Sequence, residues 1–508
     1  MDSLLVRGVR VVPLDGAVPD PSVRTDLPVD VLVEDGLVTA VGPGLARPPG
    51  VAELDGGDRW VLPGLWDHHV HVRQWGLVRS RLDLQGTGGV AEALERVRRR
   101  LAEGGLPSSG VITGWGHRPA TWAQDPTVAD LDGVTTQVPV VLISGDGHHG
   151  WLNTPALDLL GAPRRAGVVA EGEWFAVYER LSALPGAHEE AEAGVALALA
   201  DALARGVVGI TDLEFGRPWA HWRDRVAEHL PPVRARVGVY PEGLDEVLAA
   251  GVRTGGSVRA TDGLVTMGPL KIISDGSLNT RTAWCCQPYA DADRLVDPCG
   301  AANLSGEELV ELLATATRAG LDVALHAIGD AAVHQALRAF ERTGATGGIE
   351  HAQLVATEDL DLWRRLPVRA SVQPAHLLDD RVVAEQCWPD RTDRTFTLRS
   401  FLDHGIPVVL GSDAPVSPLD PWLAAAAAVH RGPVDEPPWH PEQALTPTEA
   451  LAASVDGRRV RTGSPGDLVL LEEDPLGPAG ASSGEQARRL RDTRVSATVV
   501  AGMLAHGG

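Results

Sequence analysis

Eight apolar, strand-like runs recur along the middle of the chain, and they constrain its fold more than any other feature. Helical patterns separate most of them, such as residues 305–320, which open on the capping pair Ser305 and Glu308 and end at Gly320. The runs cover residues 61–72, 206–213, 233–240, 268–274, 322–327, 348–354, 369–374 and 407–411. Eight strands that alternate with helices predict an α/β fold, a closed parallel (β/α)8 barrel of the TIM type.

Both ends of the chain differ from this middle part. Residues 1–60 and 455–508 hold short segments in which apolar and polar positions alternate, as half-buried strands do. We predict that the two ends build one small β-sandwich, which leaves residues 61–454 for the barrel. More than 130 residues separate the first two barrel runs, so an insertion over the barrel mouth is expected at about residues 73–186.

The composition argues against several classes of partner. The 508 residues carry a formal net charge of −23, whereas phosphate binding needs clustered Lys and Arg. No apolar run reaches the roughly 18 to 20 residues of a bilayer span, and the first residues lack a signal-peptide core. The four cysteines form no CxxC pair, so neither disulfides nor a cysteine-based metal knuckle is indicated. We expect a cytoplasmic protein without nucleic-acid or membrane partners. The sequence leaves open whether the protein forms a homodimer.

Tryptophan is unusually frequent among the aromatic residues. The chain has 14 Trp against 5 Phe and 3 Tyr. Several fall near segments assigned to the barrel mouth, where flat rings would suit an apolar or aromatic substrate. These are Trp66, Trp75, Trp115, Trp122, Trp151 and Trp174. Core filling is the competing interpretation for each of them.

The first barrel run ends in a cluster of four ionisable residues, Asp67, His68, His69 and His71. Residues two apart share a face of a strand, so His69 and His71 point the same way and His68 points elsewhere. Active sites of such barrels lie at the carboxyl ends of the strands. Two imidazoles on one face there are well placed to bind a divalent metal ion, although an isolated pair of this kind is often coincidental.

Later runs place further ionisable groups at the same rim, namely Lys271, His326, His351 and Asp413. Neutral imidazoles and a carboxylate hold a metal ion while leaving one coordination position open, and the ion lowers the pKa of bound water toward ~7. Asp413 beside that water is suited to carry its proton to a leaving group. A charged Lys271 inside an apolar strand is costly, and a neutral amine there is open to carboxylation by carbon dioxide.

With these residues the chain resembles the amidohydrolase superfamily. The matching features are the segment PGLWDHHVH, at residues 63–71, and the four later groups, in the same order and barrel context. Within the superfamily the chain is most similar to the amidohydrolase family 3 branch that includes N-substituted formamide deformylases. The supporting segments are ITGWGHRPATW, DGHHGWLNTPAL, LKIISDGSLNTRTA, HAIGDAAV and GSDAPVSPLDPW, and the resemblance spans nearly the whole chain.

The resemblance implies a set of metal ligands and a set of substrate contacts. The ligands would be His69, His71, Lys271, His326, His351 and Asp413, with Lys271 carboxylated if two ions are bound. Zinc is the default ion, one or two per chain, while manganese, iron and cobalt are compatible. The candidates for contacting a small-molecule substrate are His148, Asn153 and His376.

The implied reaction is hydrolysis of a carbon–nitrogen bond in a non-peptide amide, a formamide or a cyclic amide. Metal-bound hydroxide would attack the carbonyl, with Asp413 as the proton shuttle. Related scaffolds use such a site for ester or phosphoester hydrolysis, deamination or decarboxylation, which remain alternatives. A homologue that binds metal without catalysis is a third interpretation, but a pure binder needs neither Asp413 nor Lys271.

Overall fold

The computed structural model describes residues 3–14, 27–119, 122–145, 147, 149–478 and 480–507. The described N-terminal residues form short strands, and a glycine then leads into the first strand of the barrel. The bounds are β1 (Leu4–Val11), β2 (Val29–Glu34), β3 (Leu37–Gly42), β4 (Ala52–Asp55), β5 (Trp60–Pro63) and β6 (Leu65–Val70). The sequence predicts one strand over 61–72. Two strands are found instead, because the chain turns from one sheet to the other at Gly64. A side chain at this position would collide with Val208.

The chain divides into two compact units, one of residues 1–71 with 199–508 and one of residues 72–198. The second unit carries a mixed sheet in the order β11-β10-β9-β8-β7. The elements of this part of the chain are α1 (Val72–Ser80), β7 (Leu82–Asp83), α2 (Val90–Glu103), β8 (Ile112–His117), α3 (Val128–Asp132), β9 (Val140–Ser144), β10 (His149–Leu152), α4 (Thr154–Leu159), β11 (Val169–Ala170), α5 (Glu171–Ser182) and α6 (Ala187–Ala204). The predicted insertion, 73–186, falls within this stretch, and its cover over the barrel mouth stays a prediction.

Strands and helices then alternate through most of the first unit. They are β12 (Val207–Asp212), α7 (Pro218–Ala227), β13 (Arg234–Val239), α8 (Leu244–Ala250), β14 (Val265–Ile273), α9 (Gly306–Ala319), β15 (Val323–Ala327), α10 (Asp330–Thr343), β16 (Gly347–His351), α11 (Leu360–Trp363), β17 (Val368–Val372), α12 (Leu377–Cys387), α13 (Leu398–Asp403), β18 (Val408–Leu410), α14 (Pro421–His430) and α15 (Pro447–Ala452). The capping pair predicted at Ser305 and Glu308 opens α9, which ends at Gly320 with a left-handed backbone.

The barrel strands form one parallel sheet in the order β18-β17-β16-β15-β14-β13-β12-β6. Its first and last strands meet, because the Asp413 N–H donates to the His69 carbonyl at 2.8 Å and the His71 N–H donates to the Ala414 carbonyl at 2.9 Å. The strands are almost entirely buried, as expected of a parallel sheet covered on both faces. The predicted TIM-like barrel is confirmed.

Strands from both ends of the chain share a second sheet. The C-terminal part supplies β19 (Leu468–Leu471), α16 (Ser483–Arg491), β20 (Val495–Val500) and β21 (Met503–Gly507). The hydrogen-bonded order is β21-β20-β19-β5-β1-β2-β3, with β4 beside β1, so the strands of the two ends join in one sheet where β19 pairs with β5. Valine and leucine side chains from both ends, such as Val6, Val61 and Leu470, fill one apolar core.

The tryptophans singled out in the sequence pack mainly into cores. Trp66, Trp75, Trp115, Trp151 and Trp174 are buried, and Trp122 is partly buried in an apolar cluster. Trp66 lies below the guanidinium of Arg236, 4.2 Å from ring centroid to carbon, and close to Arg458 at 5.0 Å. Their burial fits the competing interpretation of core filling, and contact between these rings and substrate stays a prediction. No described helix combines the length and apolar character that a membrane crossing requires.

Candidate metal centre

His69 and His71 come from the carboxyl end of the first barrel strand and point to one face. The Nε2 atom of each lies 3.4 Å from the same oxygen, Oδ1 of Asp413, which follows the last barrel strand. The donor atoms of these three side chains all lie within 4.8 Å of one another. His68 faces away, with Nε2 3.7 Å from a carboxylate oxygen of Asp456. The alternation predicted for the strand therefore places two imidazoles and one carboxylate around a common point.

The backbone at two strand ends is bent to present its side chains. His351 has φ of 69° and Asp413 has φ of 57°, both in the left-handed region that non-glycine residues seldom adopt. Such conformations cost on the order of 1–3 kcal/mol each and cluster at functional sites. Asp67 helps to hold this corner, because its Oδ1 accepts the N–H groups of His69 at 3.0 Å and Ser412 at 2.9 Å.

His69 is oriented by a carboxylate on its far side. The Nδ1–H of His69 donates to Oε2 of Glu350 at 2.7 Å, and both side chains are buried. This fixes the tautomer and leaves the Nε2 lone pair for the centre, the arrangement seen behind many metal-ligating histidines. Burial alone would raise the pKa of Glu350, but His69 outweighs it and holds that pKa at about 2. Glu350 is therefore anionic at neutral pH.

The imidazoles of His69 and His351 are in the neutral form that metal binding requires. Burial, with Lys271 nearby, lowers the pKa of His69 to about 4, and burial with His326 lowers that of His351 well below its usual value. Burial favours protonated Asp413, but the surrounding histidines outweigh this and hold its pKa well below its usual range. A neutral imidazole pair beside an ionised carboxylate is a metal-ready donor set.

Lys271 lies at the same point, on β14. It is 2% exposed, and its Nζ lies 3.4 Å from Nε2 of His69. Burial lowers the pKa of this amine, while the carboxylates of Glu350 and Asp413 partly oppose the shift. The neutral amine is the form that carbon dioxide carboxylates.

His326 and His351 flank the centre on the next two strands. Their ring centroids lie 4.5 Å apart, edge to face. The Nε2 of His326 is 3.2 Å from the Gly276 carbonyl, so a proton on that nitrogen leaves Nδ1 as the ligand atom. Asp275 supports the turn beside it, accepting the N–H groups of Ile328 at 3.1 Å and Gly329 at 2.9 Å. His351 shares a candidate donor cluster with His376 and Asp413, and His326 packs against it from the neighbouring strand.

His376 approaches Asp413 from the loop after β17. Its Nε2 lies 3.8 Å from Oδ2 of Asp413, and its donor atom falls within 4.8 Å of those of His351 and Asp413. This nitrogen and Nδ1 of His71 are buried without a hydrogen-bond partner among the described residues. A buried nitrogen needs a partner, and a water bound to a divalent cation would satisfy Nε2 of His376, which faces Asp413, while His71 offers its Nε2 to the same centre. The residues present therefore fit a metal ion.

Comparison with known proteins agrees with this geometry. The model of the amidohydrolase family, family 3, matches residues 52–506. The chain belongs to the amidohydrolase family. It is 26% identical over 496 residues to the amidohydrolase-family protein YtcJ of Bacillus subtilis, covering 88% of this chain and 91% of that one. It is 25% identical over 533 residues to the N-substituted formamide deformylase of Arthrobacter pascens, covering 93% and 94%.

A solved structure extends the likeness to three dimensions. An uncharacterized metal-dependent hydrolase from Pyrococcus horikoshii superposes with a TM-score of 0.79 at 25% identity, covering 95% of this chain and 99% of that one. The amidohydrolase described here is thus a hydrolase with a candidate His/Asp metal site.

Two of the predicted substrate contacts lie in residues 72–198 of this amidohydrolase. Asn153 is fully buried and uses its whole amide on backbone groups: Oδ1 accepts from Val140 and Ala156, and Nδ2 donates to Thr135 and Val138. These bonds make Asn153 the N-cap of α4, which is a structural role. Its contact with substrate stays a prediction. His148 lies outside the described residues.

Sequence reasoning missed two groups at the centre. Glu350 directly precedes His351 in an apolar strand. A carboxylate at such a buried position could have been recognised from the sequence as a candidate functional group. Gln373, whose Nε2 lies 3.4 Å from Nδ1 of His69, carried no signal of its own in the segment VQPAH.

Proposed function

We propose that this amidohydrolase cleaves a carbon–nitrogen bond in a small-molecule amide, formamide or cyclic amide, and not in a peptide. One observation carries the proposal: Oδ1 of Asp413 lies 3.4 Å from Nε2 of both His69 and His71, so an ionised carboxylate stands beside the position of a bound cation. The name of the Arthrobacter relative, a formamide deformylase, supports the choice of bond.

The proposed ligands of the cation are the six groups that converge on the strand ends. Imidazole-rich donor sets suit zinc, which we propose as the ion. Two ions would be held if Lys271 is carboxylated, because a carbamate offers two oxygens where the amine offers one nitrogen. The ligands would be His69, His71, Lys271, His326, His351 and Asp413. A bound divalent cation supplies Lewis-acid activation of water and of the substrate carbonyl.

Asp413 carries the proton in this proposal. Its carboxylate is ionised at neutral pH, because the surrounding histidines hold its pKa low against the effect of burial. It can therefore accept the proton of the attacking water and return it to the departing nitrogen. His376, with Nε2 3.8 Å from Oδ2 of Asp413, is placed to contact the substrate on the same side.

Replacing Asp413 with Asn tests the role. The amide keeps an oxygen for the cation but cannot take a proton, so we expect kcat to fall by about 10²–10⁴-fold while bound zinc stays near the wild-type amount. Metal content is measured by mass spectrometry and kcat on matched amides, formamides, cyclic amides and esters. Asp435→Asn, at a side chain 83% exposed, is the control.

The possible results test the type of bond cleaved, the dependence on metal and the role of Asp413 separately. Wild-type turnover of amides that vanishes on chelation and returns with zinc supports the proposal. Turnover of esters alone would point to the ester-hydrolysing alternative. Full amide turnover by Asp413→Asn would refute the proton-carrying role.

A further inference from the structure

One aromatic ring at the rim of the barrel differs from all the others. Among the aromatic side chains that the structure describes, Phe215 is the exposed one, at 53%. Exposing a phenyl ring forgoes the stabilisation that its burial would give, so its position calls for an explanation. It lies on the loop after β12, at the carboxyl end of the second barrel strand, where barrel enzymes bind substrate.

Phe215 is stacked directly on a proposed metal ligand. Its ring centroid lies 5.6 Å from that of His71 with an interplanar angle of 21°, and 4.8 Å from that of Tyr240 with an angle of 29°. Tyr240 is buried and donates its hydroxyl to the Leu213 carbonyl at 3.0 Å. The three rings therefore form a stack in the order His71, Phe215 and Tyr240. His71 lies at the candidate metal centre, and Phe215 is the exposed ring.

The loop that presents Phe215 is fixed by buried carboxylates. Asp212 accepts the Glu214 N–H on Oδ1 at 3.1 Å and the Trp222 indole N–H on Oδ2 at 2.7 Å. Glu214 accepts the Phe215 N–H on Oε1 at 3.1 Å. Gly216 then takes φ of 81°, a left-handed turn that glycine adopts without strain. The ring is thus held in place before any ligand arrives, which lowers the entropic cost of binding.

The charges beside the ring restrict what it can bind. Glu214 is buried next to it, and its carboxylate accepts the Phe215 N–H. A substituent that packs on Phe215 therefore lies beside this carboxylate. A neutral apolar group suits this position better than a carboxylate group would.

We propose that Phe215 is the specificity-determining contact of this site and binds an apolar, preferably aromatic, substituent attached within a few bonds of the reacting carbonyl. The inference rests on the proposed function for the identity of the bond and for the bound cation, but not for the apolar contact. It names the substrate class as neutral amides with a phenyl-like substituent.

The test uses two probes that bind through the cation without being hydrolysed, phenylacetohydroxamate and acetohydroxamate. Titration calorimetry on zinc-loaded protein gives a Kd for each. We expect the wild type to bind the phenyl probe about tenfold more tightly than the methyl probe. Phe215→Ala should reduce this ratio to about one, and Phe215→Trp should preserve it, with zinc content unchanged in both. Leu504→Ala, at a side chain 46% exposed on β21, is the matched control and should keep the wild-type ratio.

Two results would overturn the inference. One is an unchanged affinity ratio in Phe215→Ala, and the other is an equal loss for both probes together with lost zinc, which would make the ring only a support for His71. Failure of the proposed function would give a different set of results. If no amide is hydrolysed, yet the tenfold preference exists and disappears in Phe215→Ala, the reaction is wrong and the apolar contact stands.

Discussion

At the scale of single residues, the candidate metal centre depends on side chains that are not themselves proposed ligands. Glu350 accepts the Nδ1–H of His69 at 2.7 Å in a buried pair, and Oδ1 of Asp67 fixes the backbone of the same histidine. The rotamer and tautomer of this proposed ligand are therefore set without a metal, so a bound cation would not have to select them.

Glu350→Gln isolates this orienting effect. The amide keeps the shape but weakens the bond to His69 and removes the charge that favours a proton on Nδ1. We expect zinc affinity to fall by about 10–100-fold, measured by competition with a chromophoric chelator. Turnover should return when zinc is supplied in excess. Glu311→Gln, at an exposed position on α9, serves as the control, and unchanged affinity in Glu350→Gln would show that His69 needs no such support.

The residues of the centre were predictable from sequence to different degrees. His69 and His71 follow from the period of two in a strand, because that period alone places them on one face. Phe215 was not predicted, since nothing in LEFGRP distinguishes an exposed ring from a core ring. Its role depends on a stack with Tyr240, 25 positions further along the chain, a contact that only the closed barrel creates.

At the scale of elements, the seam between β6 and β18 closes the barrel and builds the centre. Gly411 lies in this seam: a Cβ there would stand 2.8 Å from the backbone nitrogen of His69 and 3.1 Å from Oδ1 of Asp67. The two strand ends therefore approach as closely as a glycine allows.

Gly411→Ala should push these strand ends apart. The added methyl meets backbone on one side, which cannot yield cheaply, so we expect a loss of about 1–3 kcal/mol in stability and weaker zinc binding. Thermal unfolding and zinc titration measure the two effects. Gly306→Ala, in open space at the start of α9, should change neither. Unaltered zinc binding in Gly411→Ala would mean that the seam tolerates a wider gap.

The element boundaries show where sequence reasoning stops. The eight barrel runs were recognised because buried parallel strands are continuously apolar. The same property hid the break at Gly64, since β5 and β6 are both buried and their residues read as one run. What separates them is the partner of each strand: β5 pairs with β1 and β19, and β6 pairs with β12, which local sequence does not encode.

At the scale of the whole molecule, the sheet built from both chain ends is joined to the barrel by a buried ion network. Asp467 precedes β19 and is fully buried. It accepts from Arg234 of barrel strand β13 at 2.8 and 3.1 Å, from Arg458 at 2.5 Å, and from the Ala501 N–H at 2.8 Å. The C-terminal strands are thereby tied to the same barrel that carries the metal centre.

Asp467→Asn should therefore destabilise the fold without touching the chemistry. The neutral amide leaves Arg234 without its carboxylate partner and Arg458 with Asp456 alone, and breaking a buried pair in this way costs about 3–5 kcal/mol. We expect a lower midpoint of urea unfolding, while kcat per zinc-loaded molecule at 25 °C stays at the wild-type value, because Asp467 contacts no proposed ligand. Asp435→Asn breaks an exposed pair with Arg488 and should shift stability by no more than about 0.5 kcal/mol. Equal midpoints for the two variants would show that the terminal sheet is held to the barrel by its apolar core alone, and a selective loss of kcat would mean that the network reaches the centre.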